Sequence, residues 1–398
     1  MGEGVDILWL GGIAPERLRA LASIRMIAAQ GVDVRLLPLP LAETITCYYQ
    51  TLTGMGSGKL GRFDAVRPVA YEPHEEAEVP EGAWRRELPD LLSAGVRAAT
   101  LLETDIEHAL STGERESADC LITRLRDAGS ADDAALDALV SQHAASMGAA
   151  GHMLVLTDVW SPPPRRLVNV NTFLANMGLL EARSGAHPGS EIVWSETLAY
   201  GLGTGQVWLN MRGREPAGTV KPGREYDDVR STLIDLLCDE WRDPETGEPV
   251  VAQVLTREDA YTGEHLFRAP DLIVAYRPGY AASPRAAALD LDEASVQPGS
   301  QDSPIPTEEP GACLIGRGPA LATGAEASGR LIDTVPSVLY LLGAPIPQHL
   351  DGHVMTEMFS SAYRERTPVV WDENDATALS GEEEDVIKGR LQALGYLG

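Results

Sequence analysis

Apolar residues along this chain fall into two periods. Short, mainly apolar runs at Val5–Leu10, 152–158 and 313–316 read as buried strands, the last as the final core strand, and Val32–Leu37 reads as a second strand. Between Val5–Leu10 and Val32–Leu37, the residues Leu18, Leu21, Ile24 and Ile27 recur at helical spacing from Pro15 to Gly31. Strand, glycine turn, helix and strand form the opening of a parallel α/β sheet. The spacing predicts further helices over 88–110, 134–147, 226–241 and 334–342, the last ended by Gly343. Strands are expected at 118–125, 191–200, 206–210, 250–255 and 271–276. A short helix follows Val168-Asn-Val-Asn-Thr172 and ends at Gly178. Residues 72–81, 160–166 and 286–310 are rich in turn-forming or acidic residues and read as loops. Acidic residues from Glu382 open a last short helix that runs to Leu394. The organisation expected is one discontinuous α/β core over 1–65 and 118–360. A small helical or loop insertion would fill 66–117, and a tail with a short helix would span 361–398.

Composition narrows the class. At 398 residues the chain exceeds one small core. No apolar run approaches the 18 or so residues of a membrane span, so no membrane partner is expected. The first residues lack the basic start of a signal peptide. A net charge of −27 argues against nucleic acid, whose phosphates need clustered Lys and Arg. Cys47, Cys120, Cys238 and Cys313 are widely spaced, without a C-x-x-C pair. Neither a disulfide framework nor a structural zinc is expected, and the default compartment is the cytoplasm.

Candidate chemistry begins at Leu41-Ala-Glu-Thr44, continues to Thr53-Gly54, and ends in the turn Gly58-Lys59-Leu60-Gly61. A hydroxyl at a helix start suits a phosphate, because free N–H groups and the helix dipole point there. This stretch resembles the nucleophile segment of the type I phosphodiesterase/nucleotide pyrophosphatase branch of the alkaline phosphatase superfamily. Further resemblance lies in Tyr200–Pro216, Lys221–Tyr226, Asp243–Pro249, Ala269–Val274, Ile332–Gly343 and Asp351–Phe359, in that order. The resemblance implies a doubly wound, mostly parallel sheet with helices on both faces and a reduced cap insertion. Its site would lie at the strand C-terminal ends.

The resemblance also implies two divalent metals, usually zinc, held by Asp and His. Thr44 stands at the nucleophile position. Gly11, in Leu10-Gly11-Gly12, replaces the first carboxylate ligand. Asp127 matches an Asp-x-x-x-His pair whose histidine is replaced by Ala131. Asp158 matches the Asp of an Asp-His-Gly, with Val159 in the histidine position. Glu308 replaces a final histidine. Each retained residue also has a plainer reading: Thr44 as a helix cap, Asp158 as a loop hydrogen-bonder, Glu308 as a solvated acid. His108, His265 and His353 match no ligand position.

The leading reading is therefore a non-catalytic phosphodiesterase fold serving as a binding, scaffold or regulatory subunit. It implies no cofactor, and a protein partner or a second copy of the chain. One alternative is an active phosphodiesterase with a remodelled zinc or manganese site built from Asp158, Glu308 and Asp127, with Thr44 as nucleophile. Another is a binder of a nucleotide or other phosphate-containing small molecule.

Overall fold

The structure is a computed structural model. It describes residues 4–37, 51, 54–60, 66–69, 72–75, 98–101, 120–125, 128–147, 150–183, 191–287, 291, 293–299 and 311–372. The strands of the two larger sheets, in chain order, begin with Val5–Leu10 (β1), Val32–Leu37 (β2), Ala98–Leu101 (β3), Cys120–Leu125 (β4) and His152–Thr157 (β5). Ala199–Leu202 (β6), Gln206–Leu209 (β7), Val251–Thr256 (β8), Leu272–Tyr276 (β9), Ala312–Arg317 (β10) and Ala325–Arg330 (β11) complete them. The main sheet has seven strands in the order β11-β2-β10-β5-β1-β4-β3. Only β10 runs antiparallel to its neighbours. The four-stranded sheet β6-β7-β9-β8 is antiparallel throughout.

Alternation along the strands builds two core layers. Ile7 and Trp9 of β1 face one side with Val34, Leu36, Leu154 and Leu156, beneath Val338, Leu339 and Leu341. Leu8 and Leu10 face the other side with Val155 and Ile315. There they meet Ile24 and Ile27 of the helix Ala22–Gln30, and Leu136, Leu139 and Val140 of the helix Asp133–Ser146. β1 and β5 are buried at every position and accordingly apolar apart from Asp6, His152 and Thr157, and Asp6 meets His143 Nδ1 at 3.0 Å. Asp132 starts the second of these helices by accepting from the Ala135 N–H at 2.9 Å. A third core lies under the antiparallel sheet, where Phe173 stacks on Trp241 at 4.7 Å between centroids.

Some expectations change. The helical spacing over 88–110 is met at Ala98–Leu101 by a strand, which pairs with β4. A short apolar run fits either period, and an open sheet edge decides it. Glu72–Glu75, expected as loop, pairs antiparallel with Val66–Val69. The single strand expected over 191–200 is two, Glu191–Ile192 and β6, with a turn between them. β10 is not the last core strand: β11 follows and pairs with β2 over six residues. The helix expected near the C-terminus, 382–394, lies outside the described residues.

Candidate functional site

β1, β4 and β5 are adjacent and parallel. Their register aligns Trp9 with Arg124 and Leu156, and Leu10 with Leu125 and Thr157. The three C-terminal ends therefore finish level, and Gly11 and Asp158 are the residues that leave β1 and β5. Gly11 ties β1 to β4, its N–H donating to the Leu125 carbonyl at 2.8 Å and its carbonyl accepting from Ala128 at 2.9 Å. A Cβ on Gly129 would stand 2.1 Å from the Gly12 carbonyl oxygen, so this close approach requires glycine. Arg17 reaches the carbonyls of Gly129 and Ala131 and holds the turn against the first helix.

Asp158 is buried, and its Oδ2 accepts from Arg124 Nη2 at 3.1 Å. Both side chains are under one-tenth exposed, at 9% and 8%. Arg124 starts two strands away from Asp158, a distance of about 10 Å at the usual strand spacing. Its guanidinium crosses β1 with Cζ 5.0 Å from the Trp9 ring centroid, within cation–π range. Burial holds the Asp158 carboxyl above the usual carboxylate range, outweighing the opposing pull of Arg124 and Trp9.

Val159 packs toward the Trp9 layer, whereas Ala131 packs into the layer of Leu8 and Leu10. Thr44, Asp127 and Glu308 lie outside the described residues, as does His108. Trp160 and Gly311 exchange two backbone hydrogen bonds, at 2.9 and 3.1 Å, which brings the chain just after Glu308 to the end of β5. Sequence reasoning missed Arg124. Its signal was a cation inside the otherwise apolar end of a strand, a placement that calls for a buried partner.

Other quoted segments meet in space. Lys59 of the Gly58-Lys59 turn pairs with Asp351 Oδ1 at 2.7 Å, and the Gly56 N–H donates to Asp351 Oδ2 at 2.8 Å. The Gly58 carbonyl accepts from His265 N–H at 2.9 Å. His353 contacts Arg330 at 3.2 Å, and Arg330 pairs with Asp333. In the antiparallel sheet Asp271 is fully buried. It accepts from Arg214, Arg257, Tyr226 Oη at 2.9 Å and Leu209 N–H at 2.7 Å. Tyr200 donates to Glu215 at 3.1 Å beside it. This hub joins the Tyr200–Pro216, Lys221–Tyr226 and Ala269–Val274 segments.

No family model matches the chain, and no curated protein matches it. Solved structures do. Human ectonucleotide pyrophosphatase/phosphodiesterase 5 superposes with a TM-score of 0.56 at 11% identity, over 90% of this chain and 100% of that one. The murine protein, inactive and in complex with AMP, gives 0.57 at 11% identity, and another murine structure gives 0.52, both over the same shares. The chain shares the fold of these structures. At this identity the likeness is one of fold, and it agrees with the mixed α/β sheet and the resemblance read from the sequence.

The fold raises the question of a divalent metal. A zinc site needs three or four N, O or S ligands in one place. At the strand ends the described residues offer one carboxylate, Asp158, and it is held by a guanidinium. Gly11 brings no side chain. The described residues do not fit a metal pair.

Proposed function

We propose that this protein is a non-catalytic phosphodiesterase fold that works by binding, as a scaffold or regulatory subunit for a protein partner or a second copy of itself. The observation that carries this reading is the Arg124–Asp158 pair. The one family-type carboxylate among the described residues is already neutralised, at 3.1 Å, in a buried position. A threonine hydroxyl without a metal or an adjacent base is a poor nucleophile, so Thr44 serves to start its segment rather than to attack. We place the core at 1–65 and 118–360, the insertion at 66–117 and the tail at 361–398, in the cytoplasm. Among the described residues no helix is long and apolar enough to cross a membrane.

The test is turnover of a chromogenic phosphodiester by the full chain with zinc or manganese, beside Thr44→Ala. The expected result is no rate above background for either chain. Metal-dependent turnover that Thr44→Ala abolishes would overturn the reading. Because a murine neighbour was solved with AMP, AMP is also the probe for retained ligand binding by thermal shift.

A further inference from the structure

β11 closes one side of the main sheet, and among the described residues β2 is its one strand neighbour. The two pair over six residues without a bulge. Ala325 and Ala327 turn toward the core layer of Val34 and Leu36, and the turn Thr356–Met358 packs on that face against both strands. Glu326, Ser328 and Arg330 alternate to the other face, where Glu326 and Ser328 are exposed. Leu37, in register with Arg330 on that face, is 40% exposed. The sheet margin is therefore uncovered there. Proteins ordinarily guard such an edge with proline, lysine or a bulge, and β11 has none of these. In a parallel pair each residue turns its N–H and C=O to one side, and the next residue turns them to the other. The Arg330 N–H donates to Asp333 Oδ2 at 2.9 Å rather than to β2, so Ser328 and Glu326, two and four residues earlier, also turn outward.

We infer that two copies of this chain associate through β11, edge to edge and antiparallel, about a two-fold axis at Ser328. The inference rests on the non-catalytic reading and names the partner as a second copy. Charge selects both the occupant and the register. Glu326 stands in register with Asp33 of β2, like charge beside like charge. Arg19 takes Asp33 at 2.8 Å, and no cation among the described residues pairs with Glu326. Four residues on, Arg330 holds Asp333 through Nε and Nη2, and its Nη1 has no partner among the described residues. An antiparallel pairing centred on Ser328 sets Ser328 opposite itself. It also sets Glu326 opposite Arg330 of the second copy, twice by symmetry. Centring the pair on Glu326 or on Arg330 would instead bring like charges face to face. The same pairing gives partners to the outward backbone groups of Glu326 and Ser328 and joins two seven-stranded sheets. A foreign strand would need the matching spacing of opposite charges, and the chain's own edge carries it.

The test is self-association of the full chain at physiological salt, where the repulsion between two chains of charge −27 is screened. Sedimentation equilibrium over a range of concentrations should show a dimer for wild type. Glu326→Arg sets arginine against arginine at both ends of the contact and should weaken the dimer at least about tenfold. Arg330→Glu, which sets glutamate against glutamate, should weaken it likewise. An equimolar mixture of the two variants should dimerise again, because each facing pair is then of opposite charge. Circular dichroism checks that each chain is folded. Should Arg330→Glu not fold, since it sets a second acid beside Asp333, oxidative cross-linking is the independent measurement. Two Ser328→Cys chains face each other across the axis, and mild oxidation should link them, with wild type as the control. Glu326→Cys lies about 14 Å from its own copy and should not link. A wild type that stays monomeric overturns the inference, as does a dimer that Glu326→Arg leaves unchanged or Ser328→Cys chains that oxidation fails to link. None of these touches the non-catalytic reading, which then calls for a different protein partner. That reading falls to metal-dependent phosphodiester turnover instead.

Discussion

At the residue scale, Asp271 shows how a charge survives in the core. Burial pushes its carboxyl up, but Arg214 and Arg257 outweigh burial and hold it below the usual carboxylate range. Replacing Asp271 by Asn would strand two guanidinium groups, and a loss of about 3–5 kcal/mol is expected in urea denaturation. The pH dependence has a definite sign. Because the folded value lies below the ordinary 3.8, Asp271 contributes its full stability above that pH. The contribution is lost as pH falls through the folded value. Melting followed down an acid series should show this loss in wild type and a smaller one in Asp271→Asn. Asp158 is a different case, with one cation instead of two. Asp158→Asn should lower stability by less than Asp271→Asn, because one buried guanidinium rather than two loses its carboxylate.

At the scale of elements, the turn around Gly58 is held more by shape than by charge. A Cβ on Gly58 would stand 2.1 Å from the Thr262 carbonyl oxygen. Gly58→Ala must therefore move backbone, and a loss of about 1–3 kcal/mol is expected in chemical denaturation. Asp351→Asn should cost less, under about 1 kcal/mol, because its partner Lys59 is 32% exposed and screened by solvent. If the two losses came out in the opposite order, charge would be the principal anchor. Elements were legible in the sequence to differing degrees. β1 and β5 could be read directly, because full burial on two faces demands nearly unbroken apolar runs, and β2 by the alternation of buried Val32, Val34 and Leu36 with Asp33, Arg35 and Leu37; the one helix expected from Pro15 to Gly31 is two, Pro15–Ala20 and Ala22–Gln30. β11 could not be read. Its sequence, Ala-Glu-Ala-Ser-Gly-Arg, is small and polar because it lies at the edge of the main sheet with Glu326 and Ser328 exposed. β3 was ambiguous because four residues cannot establish a period.

At the scale of the whole molecule, a charge of −27 must repel itself in the compact state. Raising salt from low to physiological should therefore raise the melting temperature, read by calorimetry, and a flat response would mean that bound cations already screen the surface. The proposed partner is also tested here. Sedimentation over a range of concentrations should show either self-association or a monomer that requires a different protein partner, and the second outcome would exclude the homo-oligomer. The fold shared with human and murine phosphodiesterase structures at 11% identity shows how far sequence can drift under one architecture. Burial and register preserve a sheet through many substitutions.

The chain's own pattern determined the α/β class, the opening strand–helix–strand unit and the strand ends as the place to look. The first two follow from local periodicity, which a linear reading captures, and the third from the resemblance. The resemblance read from the sequence sets Gly11 and Val159 at positions where it implies ligands. Tertiary structure decided what Asp158 does. Arg124 lies 34 residues before Asp158, on a strand that does not pair directly with that of Asp158. Only the strand order β5-β1-β4, with its register, brings the two charges within 3.1 Å. The same holds for Arg214 and Asp271, 57 residues apart in sequence. A buried charge must find a counter-charge, but the choice of partner is made by packing across the sheet, which no local pattern encodes.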